Sequence, residues 1–155
     1  MTSTTPGDAR SSSNVNTAVL LREAFTAIDR VVPLRLAERG HGAVRTAHGP
    51  VFEHLDNNGT TVSTLAHRAG MTKQAMAELV QYLERHGYVR RVPDPNDGRA
   101  KLVQLTDNGR EVIATVQELV PQMEKRLREV LGQARWRELR RDLERIPDLF
   151  AQPVP

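Results

Sequence analysis

The chain has 155 residues, 39% of them hydrophobic and 26% charged, with a formal net charge of +3 and no cysteine. That length suits one domain with a real core, and no apolar run approaches the ~20 residues that span a bilayer. The missing cysteines exclude disulfides, thiolate zinc sites, cysteine nucleophiles and thiol-based redox sensing.

Residues 1–14, "MTSTTPGDARSSSN", have no apolar h-region and are not expected to act as a signal peptide. Their Ser, Thr, Pro and Gly content predicts a disordered arm, and a cytoplasmic protein is the default expectation. From Val15 to Glu38 one apolar stripe, Ala18, Leu21, Phe25, Ile28 and Val32, recurs at helical spacing. Pro33 is expected to kink or split this helix, and Gly40 and Gly42 to end it. A shorter helix is predicted over Ala47 to Asn57, with Pro50 in its first turn.

The segment "TTVSTLAHRAGMTKQAMAELVQYLERHGYVRR" is the most legible. Thr61 is a candidate N-cap for a short helix, Gly70 breaks the chain, and Thr72 can cap a second helix. Met76, Leu79, Val80 and Leu83 give that second helix one buried face. Two short helices joined by a glycine-containing turn make a helix-turn-helix, and a strand pair, 88–92 and 101–105, makes it a winged one. Thr106 then caps a long helix whose Ile113, Val116, Val120, Met123, Leu127 and Val130 form a heptad-like seam, with a kink expected at Pro121. After Gly132 a last helix carries Trp136, Leu139, Leu143, Ile146 and Phe150, and residues 151–155 form a tail.

Charge is not spread evenly. Residues 1–60 carry six Lys/Arg and six Asp/Glu, and residues 111–155 carry eight of each. Residues 61–110 carry eight against five, so the whole excess lies in the middle third. A localised basic module suggests a polyanion contact, although a fluctuation of three charges in a solvated face would look the same.

On the helix that begins at Thr72, the face opposite the apolar stripe is Gln74, Glu78, Gln81 and Arg85, with Lys73 and Ala77 on its flank. A recognition helix enters the major groove with its N-terminal residues nearest the bases. Gln74 is suited to an adenine edge and Ala77 to a thymine methyl, while Thr72 and Lys73 are suited to phosphates. Ordinary solvated positions would show the same polar face. The loop "PDPNDGRAKLVQLT" is longer than a hairpin needs, and a solvated loop does not explain its two prolines, Asp97 and Arg99 together. A stiff wing that presents Arg99 to a narrow minor groove does. Asp97 is placed to orient Arg99, and Arg90, Arg91 and Lys101 to meet phosphates.

The run from Leu65 to Arg110, with its "GYVRR" entry, "DPNDGRAKLVQLT" wing and Leu-Thr-x-x-Gly exit, resembles the MarR family of bacterial transcription regulators. The resemblance implies a mainly α fold, a winged helix-turn-helix with a two-stranded β-wing and N- and C-terminal dimerisation helices. It also implies a homodimer on double-stranded DNA bearing a pseudo-palindromic operator, and repression relieved by a small, aromatic or anionic, ligand. Carried over by position, Arg99 is the wing arginine, Asp97 its acidic partner, and Thr72 the start of the recognition helix. Many members have a second basic residue where Gly98 stands, and often a Thr-Arg pair where Ala77 and Glu78 stand. Both differences remove positive charge facing DNA.

The expected organisation is thus an arm (1–14), a dimerisation helix and linker (15–45), a DNA-binding module (46–106), C-terminal dimerisation helices (107–150) and a tail (151–155). Candidate DNA contacts are Thr72, Lys73, Gln74, Ala77, Gln81, Arg90, Arg91, Asp97, Arg99 and Lys101. The five histidines form no metal-ligand pattern, and no nucleophile-base pair, phosphate loop or carboxylate pair supports an enzyme, so no cofactor, metal or membrane partner is expected. A ligand pocket is expected between the dimer helices and the winged module, with no residue assigned. The competing reading is a winged-helix interaction module that docks an acidic protein partner.

Overall fold

The computed structural model describes residues 15–151. The arm expected over 1–14 and the tail beyond residue 151 lie outside the described residues. The chain forms two compact units, one ending at Thr46 and one starting at Ala47.

In the first unit, helix α1 (Thr17–Asp29) is capped by Asn16, whose side chain accepts the Val19 amide at 3.0 Å. Helix α2 (Val31–Glu38) follows directly. The split predicted near Pro33 falls at Arg30 instead, three residues earlier. The reason is local: a proline ring collides with the carbonyl four residues back, here Asp29, so the helix must break before it. Pro33 itself then sits in the first turn of α2, where a missing N–H costs little. Leu36, His41 and Val44 are buried, whereas α1 buries no residue at all.

A 3-10 turn (Thr46–His48) begins at the last residue of the first unit, and helix α3 (Gly49–His54) follows in the second. This helix is shorter than predicted because Asp56 leaves the helical ladder. Its amide donates to the Thr60 hydroxyl at 2.9 Å, and its carboxylate accepts from Thr60 at 3.1 Å and from Arg68 at 2.9 Å. Side-chain bonds of this kind compete with helix. Arg68 also donates to the His54 carbonyl at 2.9 Å, which closes the corner.

Helices α4 (Val62–Arg68) and α5 (Lys73–Arg85) are capped by Thr61 and Thr72, whose hydroxyls accept the Thr64 and Ala75 amides. Each ends on a left-handed glycine, Gly70 at φ +63° and Gly87 at φ +77°. The same pair of bonds closes both ends. After α4, Gly70 N–H reaches His67 and Met71 N–H reaches Ala66; after α5, Gly87 N–H reaches Glu84 and Tyr88 N–H reaches Leu83. Tyr88 is thereby used as helix closure, so the strand β1 (Val89–Pro93) starts one residue later than predicted. It pairs antiparallel with β2 (Lys101–Leu105) in the register Val89↔Leu105, Arg91↔Val103, Pro93↔Lys101. Thr60 bridges to Val103 from the other side, through bonds of 3.0 and 2.9 Å.

Leu65, Met76, Val80, Leu83, Val51, Val89, Val103 and Val112 make the centre of this unit's core. Helix α6 (Asp107–Leu131) runs on through Pro121, and Gly132 separates it from α7 (Gln133–Leu149). Its core-facing line is Val112, Thr115 and Leu119, beside the expected heptad seam. The seam itself is left half-buried or exposed, with Val130 77% accessible.

The join between wing and α6 turns on two residues. The Thr106 hydroxyl donates to the Gly87 carbonyl at 2.6 Å and accepts the Gly109 amide at 3.2 Å. A Cβ on Gly109 would overlap the Tyr88 carbonyl oxygen and press on Leu105. Gly109→Ala is therefore expected to lose about 1–3 kcal/mol in urea unfolding, as overpacked sites do. Gly98→Ala, where a Cβ would meet nothing, is expected to stay within about 0.5 kcal/mol.

Asp56 supplies a pH test. Arg68 first, then Thr60, holds its carboxyl below the ordinary 3.8. A carboxyl lowered in the fold stabilises it above the unfolded value and loses that contribution as pH falls below 3.8 through the folded one. Asp56→Asn should flatten the decline of melting temperature in that acid range, modestly, because the pair is exposed.

Candidate nucleic-acid interface

The apolar side of α5 is fixed by Met76, Val80 and Leu83, all buried, with Leu79 half-buried. That orientation leaves Thr72, Lys73, Gln74, Glu78, Gln81 and Arg85 exposed and Ala77 half-buried on the flank. The Thr72 oxygen already accepts the Ala75 amide, and its O–H remains able to donate to an anion beside the helix N-terminus. Gln74 is not free-floating: its Nε2 donates to Glu78 Oε1 at 3.4 Å, one helical turn on.

The C-terminal half of α5 is held by rings. Tyr82 is stacked between His48 (centroids 4.5 Å apart) and His86 (4.1 Å), and the His86 Nδ1 lies 2.8 Å from the Tyr82 carbonyl. Two of the five histidines are thus spent on fixing this helix.

The loop between the strands is braced by its own turn bonds. Asp94 Oδ1 accepts the Asn96 amide at 2.8 Å and Asp97 Oδ1 the Arg99 amide at 3.0 Å. Asp94 N–H reaches the Ala100 carbonyl, and Ala100 N–H the Asp97 carbonyl. Asp97 therefore shapes the backbone beneath Arg99; no ion pair joins it to the guanidinium among the described residues. Arg99, Gly98 and Lys101 are exposed at this tip.

Strand alternation separates the two arginines that the sequence places side by side. Arg91 lies on the face that carries Val89 and Val103, and its Nε is 3.6 Å from Glu84 of α5. Arg90 lies on the other face, where Nη2 approaches Gln104 Oε1 at 3.4 Å. Gln104 in turn donates to the Asn58 carbonyl at 3.1 Å. Lys101 shares the face of Arg91, so the structure brings Arg91 and Lys101 together and sets Arg90 apart.

Neither Glu84 nor Gln104 stood out in the sequence. Both act through partners seven and fourteen positions away, across a turn or a hairpin, where no local spacing marks them.

The winged module has recognisable relatives. The sequence model of the MarR family matches residues 44–100. The HTH-type transcriptional regulator BilQ of Clostridioides difficile is 22% identical over 93 residues, 60% of this chain and 63% of that protein. The transcriptional activatory protein BadR of Rhodopseudomonas palustris is 36% identical over 75 residues, 48% of this chain and 42% of that one. The chain thus spans under two thirds of the length of either curated relative. Among solved structures, Streptococcus pneumoniae FabT in complex with DNA superposes with a TM-score of 0.74 over 86% of this chain and 94% of the other, at 16% identity. Motif and family match overlap on the winged module: residues 44–100 are similar to the MarR family, and the chain has the fold of the solved structure it superposes on.

Proposed function

We propose that the chain is a dimeric, sequence-specific DNA-binding regulator, acting as a repressor that a small ligand releases. One observation carries the reading: a capped helix with a continuous polar face and a turn-braced basic hairpin belong to one compact unit. Helix α5 has the length and the N-terminal chemistry to read a major groove through Gln74 and Ala77, with Thr72 and Lys73 on phosphate and Gln81 further along. The braced loop offers Arg99 to a minor groove, and Arg91 and Lys101 are placed for the flanking backbone. Arg90, on the opposite hairpin face, would meet DNA only where the duplex passes the Gln104 side.

Dimerisation is supported by apolar surface at both ends of the chain. Phe25 and Leu34 are 64% and 65% accessible, and Val130 and Phe150 are 77% and 69% accessible. Large apolar side chains left exposed on helices at each end are what a second copy would cover. Release by a small aromatic or anionic ligand rests on family resemblance alone, and cytoplasmic location follows from the role; among the described residues no helix is long and apolar enough to cross a membrane.

Arg99→Ala is expected to weaken operator binding by about tenfold with an unchanged melting temperature. Gly98 stands in open space, so Gly98→Lys should tighten binding and steepen the slope of log K against log salt by about one. A selection from random DNA that enriches no palindrome would favour the acidic-protein docking module instead. In sedimentation the parent should associate with concentration and Phe25→Glu should not; a parent that stays monomeric at micromolar concentration overturns the dimer.

A further inference from the structure

Helix α5 carries two glutamates, and the fold treats them differently. Glu84 is neutralised by Arg91 at 3.6 Å. Glu78, exposed in the middle of the polar face, has no cationic partner among the described residues; its one hydrogen bond is from Gln74, at 3.4 Å. In the DNA-reading role proposed above, on which this inference rests, an un-neutralised carboxylate is set among phosphates. It weakens binding to every sequence unless a base donates to it.

We propose that Glu78 is a specificity-determining residue that selects a cytosine in each operator half-site. The major groove offers two kinds of amine, cytosine N4 and adenine N6. Adenine sets its N7 acceptor beside N6, which repels a carboxylate, and guanine and thymine offer acceptors to it at O6 and O4. Cytosine alone presents a donor with no acceptor beside it on its own ring, where the neighbour is C5–H. Glu78 therefore acts largely by rejection of the wrong bases, the form of specificity that uses repulsion as well as attraction.

The bond to Gln74 gives the pair a shared geometry. With one Nε2 hydrogen directed to Glu78, Gln74 keeps its other N–H and its Oε1 for the N7 and N6 of adenine. Four helical residues rise about 6 Å and base pairs about 3.4 Å, so the cytosine is expected about one to two base pairs from that adenine. The contact places the two side chains on neighbouring positions of one short step, each reading its own base.

The test is selection of operators by the full chain, followed by affinities for the four bases at that position, for the parent, Glu78→Gln and Gln74→Ala. Glu78 is exposed and glutamine is an equal helix former, so folding is expected to be unaffected. The parent should favour cytosine by about tenfold, and Glu78→Gln should bind the four bases within about threefold while binding non-specific DNA more tightly. Gln74→Ala should lose the adenine preference and keep the cytosine one. If the parent enriches an operator but Glu78→Gln retains the same base preference, this inference is overturned and the DNA-binding reading stands. If the parent enriches no operator, both fall.

Discussion

A single hydroxyl holds the second unit together at its busiest point. Thr106 donates to the carbonyl of Gly87, where α5 ends, and accepts from the amide of Gly109, where α6 begins. Its own amide bonds the Tyr88 carbonyl, at the entry to β1. Three elements meet on one residue, and the close approach of Gly109 to Tyr88 leaves no room for a side chain between α6 and the base of the wing. A bulkier residue at 109 would push the base of the wing away from α6, and with it the register of the hairpin.

From that anchor the geometry passes outward by short links. Tyr88 closes α5 through Leu83, Arg91 ties β1 back to Glu84, and Val103 takes up Thr60 as a third partner. Helix and wing are consequently one body, and a change at either is felt by both. In the DNA-reading role proposed above this coupling matters, because a helix in one groove and an arginine in the other would have to be spaced to suit one duplex. Contacts held by separate flexible segments would lose much of their affinity to the entropy of ordering them.

Much of this was legible in the sequence, and for identifiable reasons. Thr61, Thr72 and Thr106 announce helix starts because a hydroxyl at that position satisfies an orphan amide, and Gly70 and Gly87 announce ends because they adopt left-handed backbone. The buried stripe of α5 follows from a 3.6-residue period. What escaped depends on residues distant in the chain. Asp56 shortens α3 through Thr60 and Arg68, Tyr82 is fixed by His48 from another element, and Arg90 and Arg91 separate only once the hairpin register is known. The core line of α6 was missed for a different reason. Thr115 is polar, bonded to the Glu111 carbonyl, and so breaks the apolar pattern that would have marked Val112 and Leu119. The break at Arg30 was foreseen in kind but misplaced, because the clash of Pro33 acts one turn upstream.

The joint between α6 and α7 holds the chain's one tryptophan. Arg128 of α6 and Arg140 of α7 lie 5.1 and 5.3 Å from the Trp136 ring, and Arg140 also reaches Glu124 of α6 at 3.4 Å. The indole is gripped by cations from both helices that meet at Gly132. Its emission consequently belongs to that elbow alone, undiluted by any second tryptophan. Fluorescence becomes an intrinsic optical gauge of how the C-terminal helices bend or find a partner, without a label and without reporting on the winged module.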